Sequence, residues 1–247
     1  MKVNTMTIYW LETRSEFLKT IRVPAFAIPS LIFPLIFYVF FGLLFNQGGN
    51  QYPAYLMATY GVFGVIGPAL FSFGVGVAIE KDQGWLALKQ ASPMPISAYF
   101  LARTLTAMAF ALFIILSLFI LAAVWGGVKL TLAQWTGTLL TLLLGSLPFA
   151  ALGLWLGLKL KGQAAPAIVN LIYLPMAFLS GLWLPINLLP EIIQHIAWIF
   201  PAFHLAQLTL AIQQQSLGFD WYLHVGILLL MTAVFLTLAT RAFKAHY

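Results

Sequence analysis

The stretch YLMATYGVFGVIGPALFSFGVGVAI, Tyr55 to Ile79, runs for 25 residues without a charged side chain and gives way at once to Glu80-Lys81-Asp82-Gln83-Gly84. A helix needs about 20 apolar residues, at 1.5 Å each, to cross a hydrocarbon core of roughly 30 Å, so this stretch reads as a membrane span ending at a water boundary. Working outward, comparable apolar segments occupy about Ala25 to Phe45, Tyr99 to Val124, Trp135 to Leu158, Ala164 to Leu184 and Trp221 to Ala239. The whole chain of 247 residues is 62% hydrophobic and 7% charged, against roughly a quarter charged in an ordinary soluble domain. This balance excludes a single soluble core and leaves no room for a separate catalytic domain. The net charge of +6 comes from basic residues scattered singly between apolar segments, not from the patch or stripe that nucleic acid requires. With no cysteine, disulfides, thiolate nucleophiles and cysteine metal sites are excluded.

Orientation follows from the basic residues. Lys2, Arg14, Lys19, Arg22, Lys81, Lys89, Arg103, Lys159, Lys161, Arg241 and Lys244 fall in one set of alternate connections, and Lys129 stands alone in the other. Because cytoplasmic loops carry the excess of Lys and Arg, both termini and the 80–98 and 159–163 loops are expected in the cytoplasm of a cell (inner or plasma) membrane protein. The apolar run Ile192 to Ile212 is not read as a seventh span. It would draw Gln194, His195, His204, Gln207 and a central Pro201 through lipid and would put Arg241 and Lys244 outside. Two short helices broken at Pro201, dipping in and returning, fit better. The predicted fold is therefore an all-α integral membrane protein, one domain over 1–247. It divides into an amphipathic interfacial helix (1–24), five transmembrane helices (25–184), an external re-entrant helical hairpin (185–220), and a sixth transmembrane helix with a cytoplasmic tail (221–247).

Glu12, Arg14, Glu16, Lys19 and Arg22 deny the first 22 residues the apolar core of a secretory signal, so this segment is expected to be retained. At about 100° per residue Ile8, Trp10, Leu11, Phe17, Leu18 and Ile21 share one side, with Glu12, Glu16, Lys19 and Thr20 opposite, as in a helix lying in the interface. Arg14 intrudes on the apolar side, its stem long enough to carry the charge to the headgroups; an irregular tail is the alternative. Pro29, Pro34, Pro68, Pro148, Pro166 and Pro175 predict kinks, not helix ends. Glycines at 61, 64, 67, 74 and 76, and Gly153 with Gly157, predict close helix packing.

The most informative polar segment is EKDQGWLALKQASPMP, Glu80 to Pro95. Gly84 permits a sharp turn, Trp85 and Leu88 share one face of a short helix, and Pro93 and Pro95 stop it. Two readings stay open: a small apolar plug offered to a cytoplasmic partner, or an interfacial helix anchored by Trp85. Elsewhere, Glu191 with His195, and His204, are candidates for a passage or gate, with no further ligand cluster to make a metal site. Asn170 and Tyr173 either line a passage or bond between helices. Arg103, near a span end, is expected to snorkel to the interface.

The pattern E…G…L…L…SP from Glu80 to Pro93 resembles the cytoplasmic loop of the ABC transporter type-2 permease family. The N-terminal segment, PLIFYVFFG (Pro34 to Gly42), AIVNLIYLPMAFLSGLWLP (Ala167 to Pro185) and the break at Pro201 are similar to that family in order and spacing. The resemblance implies a connecting helix carrying Trp10, Leu11, Arg14, Phe17 and Leu18. It implies a coupling helix at Gly84 to Ala91, whose docking segment draws on Glu80, Lys81, Gly84, Trp85, Leu88, Ser92 and Pro93, with Glu80, Lys81, Asp82 and Lys89 as a polar rim. It further implies a homodimer or permease heterodimer in membrane lipid that works with a separate nucleotide-binding ATPase subunit. No phosphate-loop motif occurs in this chain, so no catalytic residue and no bound cofactor are expected here, and ATP and Mg belong to the partner. The expected function is export of a hydrophobic or amphipathic compound from the cytoplasm or inner leaflet. The alternative is a channel or a structural subunit without a transport path.

Overall fold

In the computed structural model, which describes residues 5–22, 24–45, 49, 51–218 and 220–246, most of those residues are helical and no strand occurs among them. Lys2 and the side chain of Pro29 lie outside what is described. Helix α1 (Thr5–Ile21) precedes α2 (Pro24–Phe37), which widens into a π-helix at Tyr38–Leu44. Then come α3 (Tyr52–Asp82), the short α4 (Trp85–Ala91) and α5 (Ile96–Val124). Next are α6 (Leu132–Leu144), α7 (Leu147–Lys159) and α8 (Ala165–Leu179). A 3-10 turn at Ile186–Leu188 leads to α9 (Glu191–Ala197), α10 (Pro201–Ile212) and α11 (Trp221–His246).

Among the described residues four helical stretches are long and apolar enough to cross a membrane: Tyr52–Asp82, Ile96–Val124, Leu132–Lys159 and Trp221–Ala245. The pair α9 and α10, bent by 94°, makes a fifth if taken together. The predicted first and fifth spans correspond to shorter apolar helices, Leu31–Leu44 and Ala165–Leu179. At 1.5 Å per residue α8 is only about 22 Å long. Its helix stops before the apolar run does, because Gly181 adopts φ +71° and turns the chain back.

Proline placement corrects one expectation. Pro68 and Pro175 lie inside helices as anticipated, but Pro148 and Pro166 open α7 and α8. A helix's first turn has no internal partner for its N–H groups, so a residue lacking that donor costs nothing there. The break between α6 and α7 is stabilised locally: the Ser146 hydroxyl donates to the Leu143 carbonyl at 2.6 Å. At the other end of α6, Thr131 and Gln134 form a reciprocal capping box, and the Gln134 amide also donates to the Ile212 carbonyl of α10 at 3.1 Å.

Helix α3 is the axis of the bundle, its side chains at Leu56, Met57, Tyr60, Ile66 and Leu70 fully enclosed. It packs against α7 through backbone contact. A Cβ on Gly153 would meet the Leu70 carbonyl at 2.8 Å, and one on Gly157 would strike the Phe73 carbonyl. The close packing expected of these glycines is thus realised. Outward faces are the reverse of a soluble protein's. Phe113, Leu116 and Ile120 on α5 and Leu229 and Leu230 on α11 are exposed, an apolar belt that lipid would cover.

Candidate functional site

At one end of the bundle α3 runs out of apolar sequence and the chain reverses into α4. Gly84 makes the reversal at φ +77°, with open space where a Cβ would sit, so backbone conformation and not crowding requires glycine there. Helix α4 is pinned from below by Leu86, fully buried against Phe73, Val77, Tyr99 and Leu158. The Ser92 hydroxyl donates to the Lys89 carbonyl at 2.7 Å and accepts the Met94 N–H at 3.3 Å, closing the helix ahead of Pro93 and Pro95. Trp85 and Leu88 face outward, 54% and 63% exposed. The helix therefore presents two large apolar side chains on a fixed base.

What fixes the base is charge. Arg103 of α5, 1% exposed, pairs with Glu80 of α3 at 2.7 Å and Glu16 of α1 at 3.4 Å and donates to the Ser72 carbonyl. Lys19 of α1 pairs with Glu80 and lies 3.7 Å from Glu16, and the Tyr99 hydroxyl donates to Glu80 at 2.6 Å. Two cations and two carboxylates thus balance, which is how a low-dielectric site tolerates them. The Arg103 guanidinium also lies 4.9 Å from the centre of the Tyr99 ring. Lys89 of α4 pairs with Glu12 of α1, and the Tyr9 hydroxyl and Ser97 hydroxyl are 2.7 Å apart. On the far side the Lys81 ammonium donates to the carbonyls of Leu158 and Leu160, both at 2.8 Å. Asp82 accepts the Gly162 N–H at 2.6 Å. The joint thereby ties α1, α3, α4, α5 and the turn after α7 into one unit.

Three expectations change. Arg103 does not snorkel: its carboxylate partners lie within the protein, so its charge is met there and not at the interface. Glu80 is not part of an exposed rim; it is 6% exposed at the centre of the joint, while Lys81, Asp82 and Lys89 spend their charges on the scaffold. The two sides of α1 are sorted as anticipated, but its polar side, with Glu16 buried, is the one held against the bundle. Trp10, Leu11, Phe17 and Leu18 are exposed together with Arg14. The buried pairing of Glu16 with Arg103 was missed; its signal was an arginine inside an apolar segment, which demands a carboxylate from somewhere.

The candidates for a passage or gate are not brought together. The Tyr173 hydroxyl donates to the Phe63 carbonyl at 3.0 Å and its ring stacks on Phe63 at 5.0 Å, an interhelical bond, whereas Asn170 is exposed on α8. Glu191 and His195 are exposed on α9, and the His195 Nδ1 approaches the Glu191 backbone carbonyl at 2.7 Å, not its carboxylate. His204 is buried on α10. Its Nε2 lies 2.9 Å from the Trp198 carbonyl and its Nδ1 2.8 Å from Nδ1 of His224 on α11, a partner sequence reading overlooked. A carbonyl only accepts, so neutral His204 carries its proton on Nε2 and receives the His224 Nδ1–H. No group of three or more metal-ligating side chains occurs among the described residues.

A family model described as "ABC-2 type transporter" matches residues 7–214. A relative named "Putative transport permease YvfS", from Bacillus subtilis (strain 168), is 29% identical over 202 residues, which cover 81% of this chain and 82% of the relative.

Proposed function

The chain belongs to the ABC-2 type transporter family, and from that premise we propose that it is the membrane permease subunit of an exporter driven by a separate nucleotide-binding ATPase. It is a multi-pass membrane protein of the transport-subunit kind. In this reading α4 is the coupling helix, and the observation that carries the proposal is its geometry: an apolar pair, Trp85 and Leu88, exposed on a helix whose underside is locked by Leu86, Gly84 and the charged joint. An ATPase does work on its partner only through contacts that differ between two states, and a rigid lever transmits such a difference where a loose loop would absorb it.

The same reading places α4 and both termini in the cytoplasm, on the strength of the basic-residue asymmetry, and makes the shorter helices α2 with its π-helical extension and α8 the first and fifth of six spans. The 94° bend between α9 and α10 supports an external hairpin that enters and leaves by the same face. An apolar cavity of about 680 Å³, walled by Leu205, Leu208, Trp221, Leu228 and Pro148, supports a hydrophobic or amphipathic cargo. Two permease chains would assemble with two ATPase chains.

The test is purification of the tagged chain from its host in mild detergent, compared with the Trp85→Ala, Leu88→Ala double variant. A phosphate-loop ATPase is expected to accompany the wild type and to be lost or uncoupled in the variant, with the variant's thermal midpoint unchanged because both side chains are exposed. A wild-type chain that purifies intact without any ATPase would overturn the proposal.

A further inference from the structure

At the end of the bundle remote from α4, about 45 Å away along α3 at 1.5 Å per residue, lies a second cavity, of about 370 Å³. Its lining is unlike the rest of the molecule. Five of the residues that line it carry carboxamides, Gln51, Asn187, Gln207, Gln214 and Gln215, with Tyr52 and Tyr55 beside them and Ile186 and Leu210 among its apolar walls. Among the described residues no Asp, Glu, Lys, Arg or His lines it.

Gln207 is the built part of the site. It is 2% exposed, and its Oε1 accepts the Leu217 N–H at 3.0 Å, which holds residues 213–217 back over α10. That bond takes one of the oxygen's two lone pairs and fixes the orientation of the carboxamide, whose amide nitrogen has no protein acceptor among the described residues and is free to donate to a ligand. Gln214, the one non-glycine residue at positive φ (+59°) among those described, is the left-handed residue that ends α10: the Gln215 N–H donates to the Leu210 carbonyl at 2.9 Å and the Gln214 N–H to the Ala211 carbonyl at 3.1 Å, which turns residues 214 and 215 toward the cavity.

The chemistry selects a ligand class. A cation would find no carboxylate, and an anion no Arg or Lys. An apolar group would strip water from five amides without replacing their hydrogen bonds. A carboxamide presents a donor and an acceptor side by side, matching a hydroxyl that both gives and takes, and a pocket with several of them suits adjacent hydroxyls on a compact frame. The volume lies within the about 300–1,000 Å³ of small-molecule sites. We infer that this cavity binds an uncharged polyhydroxylated group, such as a sugar ring, either free in solution or carried as the headgroup of a membrane lipid. Binding here requires no ATPase and stands apart from the exporter reading.

The full chain in phosphatidylcholine nanodiscs provides the test. Saturation-transfer difference NMR with methyl β-glucopyranoside should give ligand signals, while choline and acetate give none. In parallel, discs doped with glucosyl diacylglycerol should retain that lipid through detergent release, detected by native mass spectrometry. Signal from the glucoside alone assigns a soluble ligand; retention of the glycolipid alone assigns a headgroup. The Gln51→Ala, Gln215→Ala double variant should bind at least about tenfold more weakly, with its thermal midpoint unchanged. Gln207→Met, which removes the carboxamide at similar volume, should abolish binding; if it fails to fold, the double variant decides. Absence of both glucoside and glycolipid binding, equal binding of choline or acetate, or wild-type binding by the double variant would overturn the assignment.

Discussion

Replacing Arg103 by Met should be among the most damaging single changes in this chain. Arg103 is 1% exposed, and the side chains of its partners Glu16 and Glu80 are 6% and 7% exposed, so salt and solvent screen these pairs little. Methionine fills much of the same volume but leaves two carboxylates to share Lys19, whose side chain is 53% exposed. Removing one partner of a buried ion pair costs about 3–5 kcal/mol. With about 2–4 °C per kcal/mol for a soluble domain of this size, the thermal midpoint should fall by about 6–20 °C. The assay is a double-mutant cycle on detergent-solubilised chain, scored by the melting of its size-exclusion peak, using Arg103→Met, Glu80→Gln and the two together. Since the double variant removes the charge together with one orphaned carboxylate, it should recover part of the loss, giving a coupling of about 1–3 kcal/mol. A midpoint for Arg103→Met within about 2 °C of the wild type, or single-variant losses that simply add, would refute the buried pairing and the rigid joint built on it.

Other consequences are independent of the charges. Gly157→Ala puts a methyl group against the Phe73 carbonyl and should destabilise by about 1–3 kcal/mol. Gly226→Ala, with nothing within 4 Å, should be neutral or slightly stabilising, as melting of the two will show. His224→Phe leaves a buried nitrogen of His204 without its donor and should cost about 1–3 kcal/mol, whereas His195→Ala at an exposed position should stay within about 0.5 kcal/mol. Because the chain has no cysteine, single cysteines report topology without background. Lys129→Cys should react with a membrane-impermeant maleimide in intact cells, and Leu88→Cys only after permeabilisation; the opposite pattern would invert the proposed orientation.

Much of the architecture was readable in one dimension because lipid imposes a length on its helices and leaves charge only at their ends. The apolar run from Tyr55 to Ile79 became the axis of the bundle, and Gly84 with Pro93 bracketed a real helix because left-handed backbone and a missing N–H are local properties. The break before Pro201 is local in the same way. Proline was harder to place, since its ring fits either a kink or a first turn, and Pro148 and Pro166 took the first turn once neighbouring helices had fixed where α7 and α8 begin.

The sequence by itself determined where the helices lie, that their outer faces suit lipid, and that a short helix with Trp85 and Leu88 interrupts the chain between two long ones. Only the tertiary structure decided which faces turn inward. In a water-soluble protein the apolar side of a helix points to the core, but with lipid as a third environment that rule loses its sign, and α1 buries Glu16 while Trp10 and Leu11 face out. The partners of Arg103, the histidine opposite His204, and the meeting of Gln51 and Asn187 with Gln207 at the second cavity all join different elements, and no periodicity along one helix carries the position of another.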